Sequence, residues 1–282
     1  MFKEKIISIQ GQKGSYHDIV CKYLFGKPAK ILERLNFKQV FDDIEKNKAD
    51  YAIVAIENSL VGSINEVYDL LRIKQHLIVG EHYEKVTLCL VSLPSANKKD
   101  ITNVYSHPMA LLQSESYLKR ELPQADIHER HDTAESAVFV ATQNDKTKAA
   151  IASRQAAKLY DLKILEEKIE TDKDNYTRFI VLKRKNKVDK NLKMANKTSV
   201  VVELSHEPGS LYRALGCFER EKINLSKIES RPIIGKSWRY YFYLDFEAGI
   251  NEDRVKRAIE CLEKQGHNLT VLGSYRRDEV IA

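Results

Sequence analysis

Tyr51-Ala52-Ile53-Val54-Ala55-Ile56-Glu57-Asn58-Ser59-Leu60-Val61-Gly62-Ser63 opens as an unbroken apolar run and then turns abruptly polar. A short apolar run bounded by turn residues reads as a strand buried on both faces, as in parallel sheets. A carboxylate, a carboxamide and a hydroxyl follow, and Gly62-Ser63 is expected to open the next helix, with plain capping by Ser63 as the alternative. Open α/β sheets bind ligands beyond the carboxyl ends of their strands, so this loop is a candidate site.

The same alternation extends outward. Ile6-Ile7-Ser8-Ile9, Ile31-Leu32, Val86-Thr87-Leu88-Cys89-Leu90-Val91 and Ala149-Ala150-Ile151 read as strands, and amphipathic stretches such as 109–122 fall between them. Strands alternating with helices predict an α/β domain with largely parallel sheets. Beyond residue 197 the plan changes. Val200, Val202 and Leu204 alternate, Leu211, Leu215 and Phe218 have helical spacing, and Ile223-Asn224-Leu225 is strand-like. Tyr240, Phe242, Leu244 and Phe246 alternate again, Val255, Ala258, Ile259 and Leu262 return to helical spacing, and Leu269 to Leu272 closes the series. This is β-α-β-β-α-β, a ferredoxin-like module.

The chain has 282 residues and a net charge of +6. Residues 183–197 hold seven basic residues and one Asp, so that segment carries the whole excess. A short basic run between two patterned regions reads as a solvated linker rather than a nucleic-acid arm. The start, Met1-Phe2-Lys3-Glu4-Lys5, has no apolar run of signal-peptide length and nothing downstream suits a membrane span, so a cytoplasmic protein is expected. Cys21, Cys89, Cys217 and Cys261 form no CxxC pair, and all four are read as reduced thiols. No metal, cofactor, nucleic acid or membrane partner is expected.

Further loops carry chemistry. Gly11-Gln12-Lys13-Gly14-Ser15 lies between a strand and a helix, where Gly14 and Ser15 suit either an anion or an ordinary turn. Tyr105-Ser106-His107-Pro108 opens a helix that reaches Gln113, and His107 is either an acid or base or a structural cap residue. Asp132-Thr133-Ala134-Glu135-Ser136 begins another helix with a capping Asp. Asn175-Tyr176-Thr177-Arg178-Phe179 stands at the mouth of the apolar Ile180-Val181-Leu182, combining donors, a fixed cation and an aromatic ring. By itself that pentapeptide reads more readily as a strand start with an exposed Thr-Arg pair.

Taken in order, Gly-x-x-Gly-Ser, Ile-Glu-Asn-Ser-x-x-Gly-Ser, Ser-His-Pro, Asp-Thr-Ala-x-Ser-Ala, Ala150-Ile151-Ala152-Ser153 and Asn-x-Thr-Arg-Phe resemble the blocks of the prephenate dehydratases. Glu207-Pro208-Gly209-Ser210-Leu211 and Ile228-Glu229-Ser230-Arg231-Pro232 extend the resemblance to the ACT regulatory domain with which these enzymes usually end. The resemblance implies a catalytic domain over 1–182 built as two lobes similar to type 2 periplasmic binding proteins. Lobe one would take about 1–80 and 165–182, and lobe two about 81–164. A basic linker over 183–197, an ACT domain over 198–276 and a tail over 277–282 would follow.

The implied reaction converts prephenate to phenylpyruvate, water and CO2, a step of phenylalanine biosynthesis that needs no cofactor. The resemblance implies Thr177 as a donor to the departing hydroxyl. Arg178 would hold a carboxylate or the cleft geometry, and Phe179 would face the ring or pack in the core. Asn58, Ser106 and Gln113 would line the cleft. Glu57 would be protonated, turned away or paired with a cation, since a bare carboxylate repels a dianion. Gly14, Ser15, Ser59, Gly62, Ser63, Thr133 and Asn175 would complete the substrate site. Phenylalanine would bind Pro208, Gly209, Ser210, Leu211, Asn224, Glu229, Ser230, Arg231 and Pro232 in a homodimer or homotetramer. Gln12, Ala55 and Met109 depart from the family pattern, and Met109 removes a polar group near the cleft. The alternatives are an arogenate dehydratase, or a non-catalytic amino-acid sensor or binding protein on the same lobes. An exported binding protein, a regulator with a separate helix-turn-helix domain and an enzyme with an appended mutase or dehydrogenase segment are not expected.

Overall fold

The computed structural model describes residues 5–26, 30–74, 76–187 and 194–278. Most of the expected chain start, part of the basic linker (188–193) and most of the tail (279–282) lie outside them. The chain divides into two compact units, Met1–Gly62 with Tyr83–Phe179, and Ser63–His82 with Ile180–Ala282. The segment 63–82, expected in the first lobe, therefore groups with the C-terminal residues.

The elements run β1 (Ile6–Gln10), α1 (Tyr16–Phe25), β2 (Lys30–Arg34), α2 (Phe37–Glu45), β3 (Tyr51–Asn58), β4 (Gly62–Ser63), α3 (Asn65–Lys74), β5 (Leu77–Lys85) and β6 (Cys89–Ser92). Next come β7 (Asn103–Ser106), α4 (Pro108–Gln113), α5 (Glu115–Glu121), β8 (Asp126–Glu129), α6 (Thr133–Gln143), β9 (Lys148–Ala152), α7 (Arg154–Leu159), β10 (Lys163–Glu167) and β11 (Tyr176–Lys183). The series closes with β12 (Lys197–Glu203), α8 (Ser210–Arg220), β13 (Leu225–Pro232), β14 (Tyr240–Phe246), α9 (Asp253–Lys264) and β15 (Asn268–Tyr275).

Two sheets define two lobes in the first unit. In one, the strands run β2-β1-β3-β11, with β1 parallel to both β2 and β3. The other has the order β10-β6-β9-β7-β8 and is mixed: β7 is parallel to β8 and β9, whereas β6 is antiparallel to β9 and β10. The largely parallel expectation is met by β2-β1-β3 in the first sheet and not by the mixed second sheet. Residues 86–88, expected at the start of a strand, are irregular: Val86 donates to the Asn175 carbonyl, Thr87 to the Tyr16 hydroxyl and Leu88 to Glu170. The stretch 109–122 is two helices meeting at Ser114, not one.

Glycine is required where the lobes meet. Gly14 has φ +90°, and an added Cβ would stand 3.0 Å from the Ala156 backbone. Its carbonyl accepts the Ser153 hydroxyl at 2.8 Å, and the Lys13 carbonyl accepts Tyr160 at 2.7 Å. The first loop thus seats one lobe on α7 of the other.

The second unit contains the expected β-α-β-β-α-β run as an antiparallel sheet of order β13-β14-β12-β15, with α8 and α9 side by side. Val200, Val202, Leu244 and Phe246 pack with Ala214, Phe218, Val255 and Leu262 in its core. Two expectations are corrected here. Cys217 and Cys261 are not reduced thiols but a disulfide joining the two helices, with Cα atoms 5.8 Å apart. Their separation of 44 residues gives no hint of that proximity. Cys21 and Cys89 are free and buried, and burial raises their thiols to about 12 and about 11. Lys197, read as part of a solvated linker, instead opens β12 and is buried against Glu81 at 2.8 Å. Breaking such a pair by truncating one partner costs about 3–5 kcal/mol.

Burial also neutralises His17 on α1. Its Nε2 accepts the Ala55 N–H of β3 at 3.1 Å, and desolvation pushes its pKa down to about 3. Unfolded, the ring titrates near its ordinary value of about 6.5. Between these values the unfolded chain binds a proton that the native protein refuses, so this contribution is complete above pH 6.5 and is lost as pH falls. By pH 4.5 the loss should reach about 3 kcal/mol. Melting curves from pH 7 to 4.5 are expected to fall more steeply for the wild type than for His17→Gln, which removes the titrating group. Parallel pH dependences would contradict this.

Candidate active site

The site forms where β3 ends beside the start of β11. Ser59 N–H donates to the Tyr176 carbonyl at 2.8 Å, and the Ser59 hydroxyl accepts from Tyr176 N–H and donates to the Asp174 carbonyl. That clasp brings Asn58, buried at the end of its strand, beside Thr177. The Asn58 carboxamide N–H2 lies 2.7 Å from Asn175 Oδ1, 3.0 Å from the Tyr176 carbonyl and 3.0 Å from Thr177 Oγ1. Its oxygen accepts from Leu60 and Val61 N–H, and more weakly from Gln113 Nε2 at 3.4 Å. Asn175 closes the ring by donating to Gln113 Oε1 at 3.0 Å. Gln113 also accepts Thr171 N–H on its backbone carbonyl. A polar network thus spans the Asn58 loop, α4 and the start of β11.

The direction of these bonds matters chemically. Thr177 accepts from Asn58, which leaves its own hydroxyl proton to donate elsewhere. Arg178 alternates to the other face of the strand, buried, with Nη1 3.9 Å from Glu57 Oε2. Of the three states expected for Glu57, pairing with a cation is the one found. Phe179 returns to the Thr177 face but is 1% exposed and packs edge-on against His17, with ring centroids 5.0 Å apart. It belongs to the core.

Other expected residues have structural partners. Ser106 is buried and donates to the Ile151 carbonyl at 2.7 Å, locking β7 to β9. His107 is the N-cap of α4, with Nδ1 accepting from Met109 N–H, and burial lowers its pKa. Ser15 caps α1 and Asp132 caps α6, where Thr133 is the first helical residue. Burial raises the Asp132 pKa against the opposing pull of backbone N–H donors from Ala134, Glu135 and Gln12. Gly62 has φ +80° with open space around it. Ser63 does not cap a helix: α3 begins at Asn65, and the Ser63 hydroxyl donates to Glu229.

In the second unit, a cavity of about 160 Å³ is lined by Ser210, Leu211, Tyr240 and Phe242 among others. Gly209 N-caps α8, and Pro208 accepts from Arg213. Asn224 donates to Glu247. Ser230 and Pro232 are paired in register with Phe242 and Tyr240, whereas Glu229 and Arg231 alternate with them. His17 was missed in the sequence because nothing in its helix marks its contact with Ala55. Among the described residues no cluster suited to a metal ion occurs and no helix is long and apolar enough to cross a membrane.

Two α/β lobes with an amide-held hydroxyl at adjoining strand ends of one of them, followed by a ferredoxin-like module, define a two-lobed α/β class of protein with a built polar site. The chain belongs to the prephenate dehydratase family, whose model matches residues 7–187. It is 36% identical over 269 residues to a bifunctional chorismate mutase/prephenate dehydratase of Aquifex aeolicus (strain VF5), covering 95% of this chain and 73% of that protein. It is 37% identical over 291 residues to the chloroplastic arogenate dehydratase 5 of Arabidopsis thaliana, covering 96% and 67%. Among solved structures, the prephenate dehydratase of Arthrobacter aurescens in complex with L-Phe superposes with a TM-score of 0.87 at 29% identity, over 98% of this chain and 93% of that one.

Proposed function

We propose that the chain is a dehydratase of the phenylalanine branch, acting on prephenate, with Thr177 as the hydrogen-bond donor to the departing hydroxyl. The supporting observation is the Asn58 carboxamide bonded to Thr177 Oγ1, which orients that hydroxyl as a donor. In the reaction the C–C bond to the ring carboxylate breaks and CO2 leaves. The electron pair flows through the ring and expels the hydroxyl, which departs as water with one added proton. A Thr hydroxyl is too weakly acidic to work alone near neutral pH, so Thr177 relays that proton from solvent.

Each remaining residue has a role in this reading. Asn58, Asn175 and Gln113 hold the donor; Gly14 and Ser153 set the lobe contact around the substrate, and lobe closure excludes water. Arg178, sharing its charge with Glu57, offsets the substrate's negative charge from the opposite face of its strand. Ser106 and Phe179 support the site from within the core. The C-terminal module is read as an ACT domain that binds phenylalanine in the cavity at Ser210, Leu211 and Phe242, in a homodimer or homotetramer. The compartment is read as the cytoplasm, where a disulfide such as Cys217–Cys261 is uncommon.

Arogenate is the second reading, supported by the 37% identity to an arogenate dehydratase. Parallel assays decide between them. Purified protein is expected to form phenylpyruvate from prephenate faster than phenylalanine from arogenate, and the reverse order would overturn the substrate assignment. Thr177→Ala should lower turnover by about 100-fold or more with the fold intact; near-normal turnover would remove Thr177 from the mechanism. Added phenylalanine is expected to slow the reaction, and no change at saturation would refute feedback control.

A further inference from the structure

Strand β13 carries two different sets of contacts on its two faces. Ile228, Ser230 and Pro232 face one way, and Ser230 pairs with Phe242 of the effector cavity. Lys227, Glu229 and Arg231 face the other way and are half-buried against the segment 63–72. Ser63 Oγ donates to Glu229 Oε2 at 2.5 Å and accepts from Lys227 Nζ at 3.0 Å. Arg231 grips Asp69 with two nitrogens, at 2.8 and 3.4 Å.

The neighbouring strand adds to the same grip. Tyr243, paired with Glu229 in the register, donates its hydroxyl to the Tyr68 carbonyl at 3.0 Å and meets the Tyr68 ring edge-on. Tyr241, paired with Arg231, lies under the Arg72 guanidinium at 4.7 Å. Charge-assisted and partly buried contacts of this kind hold geometry better than exposed ion pairs. The segment they hold is the direct continuation of the Glu57-Asn58-Ser59 loop, with only residues 59–62 between Asn58 and Ser63.

From this placement we infer that Glu229 and Arg231 are positioning residues for the reaction: they anchor Ser63 and Asp69, and so fix the loop that presents Asn58 to Thr177. This rests on the reading of Asn58 and Thr177 as the reacting site. It assigns the Glu-Ser-Arg-Pro block two jobs. Ser230 and Pro232 pair with Phe242 and Tyr240, which line the cavity, while Glu229 and Arg231 hold the catalytic loop from the back of the same strand. A ligand that shifts β13 then shifts the anchor as well.

Hydrogen exchange of residues 59–62 in the full-length protein, without phenylalanine, tests the anchor directly. Arg231→Gln and Asp69→Asn are each expected to speed exchange there by about 10-fold or more. The reciprocal swap, Asp69→Arg with Arg231→Asp, should return it to within about 3-fold of wild type. In the same variants kcat for phenylpyruvate should fall about 10-fold with KM little changed, because the donor rather than substrate binding is displaced. Exchange and kcat at wild-type values in Arg231→Gln and Asp69→Asn would overturn the inference. Wild-type protein that forms no phenylpyruvate would refute the proposed reaction instead, and the exchange rates would still decide the anchor.

Discussion

The site depends on one side chain, the Asn58 carboxamide. A hydroxyl is a poor acid, and its value to a reaction lies in where its proton points. In the proposed reaction Asn58 sets that direction by donating to Thr177 Oγ1. It can do so only because its own oxygen is held by Leu60, Val61 and Gln113, and because Asn175 completes the ring. A buried polar network of this kind is costly if incomplete and rigid if satisfied.

The larger architecture serves that constraint. Parallel strands deliver Asn58 at a carboxyl end, β11 brings Thr177 alongside, and α4 of the other lobe adds Gln113. The close seat of Gly14 on Ala156 fixes how near the lobes come on that side. The alternation of β11 then separates roles, with Thr177 at the network, Arg178 with Glu57 on the reverse face, and Phe179 beneath against His17. One short strand therefore supplies a donor, a cation and a core residue.

Much of this was legible in the sequence, for identifiable reasons. Residues 51–56 of β3 and 179–182 of β11 are apolar runs, β1 is apolar but for Ser8 and Gln10, and the alternation of Phe242, Leu244 and Phe246 marks the face of β14 that meets the module's core. Strand β5 is not legible as a strand because Glu81, His82, Glu84 and Lys85 interrupt its apolar pattern; Glu81 is tolerated there because Lys197 pairs with it. The break at Ser114 leaves no Gly or Pro to read. The Cys217–Cys261 bond and the Ser63–Glu229 contact join residues far apart in the chain, which composition and period cannot report. At the site, residue types were readable but partners were not. Ser106 has the right chemistry for a cleft, yet its hydroxyl is spent on the Ile151 carbonyl.

A double-mutant cycle on kcat tests the central claim most directly, using Asn58→Leu, Thr177→Val and their combination in folded protein. If Asn58 acts by orienting the Thr177 hydroxyl, the double variant should be no slower than Thr177→Val alone, within about 3-fold. Effects that multiply in the double variant would show that the two residues act independently, and would contradict this account.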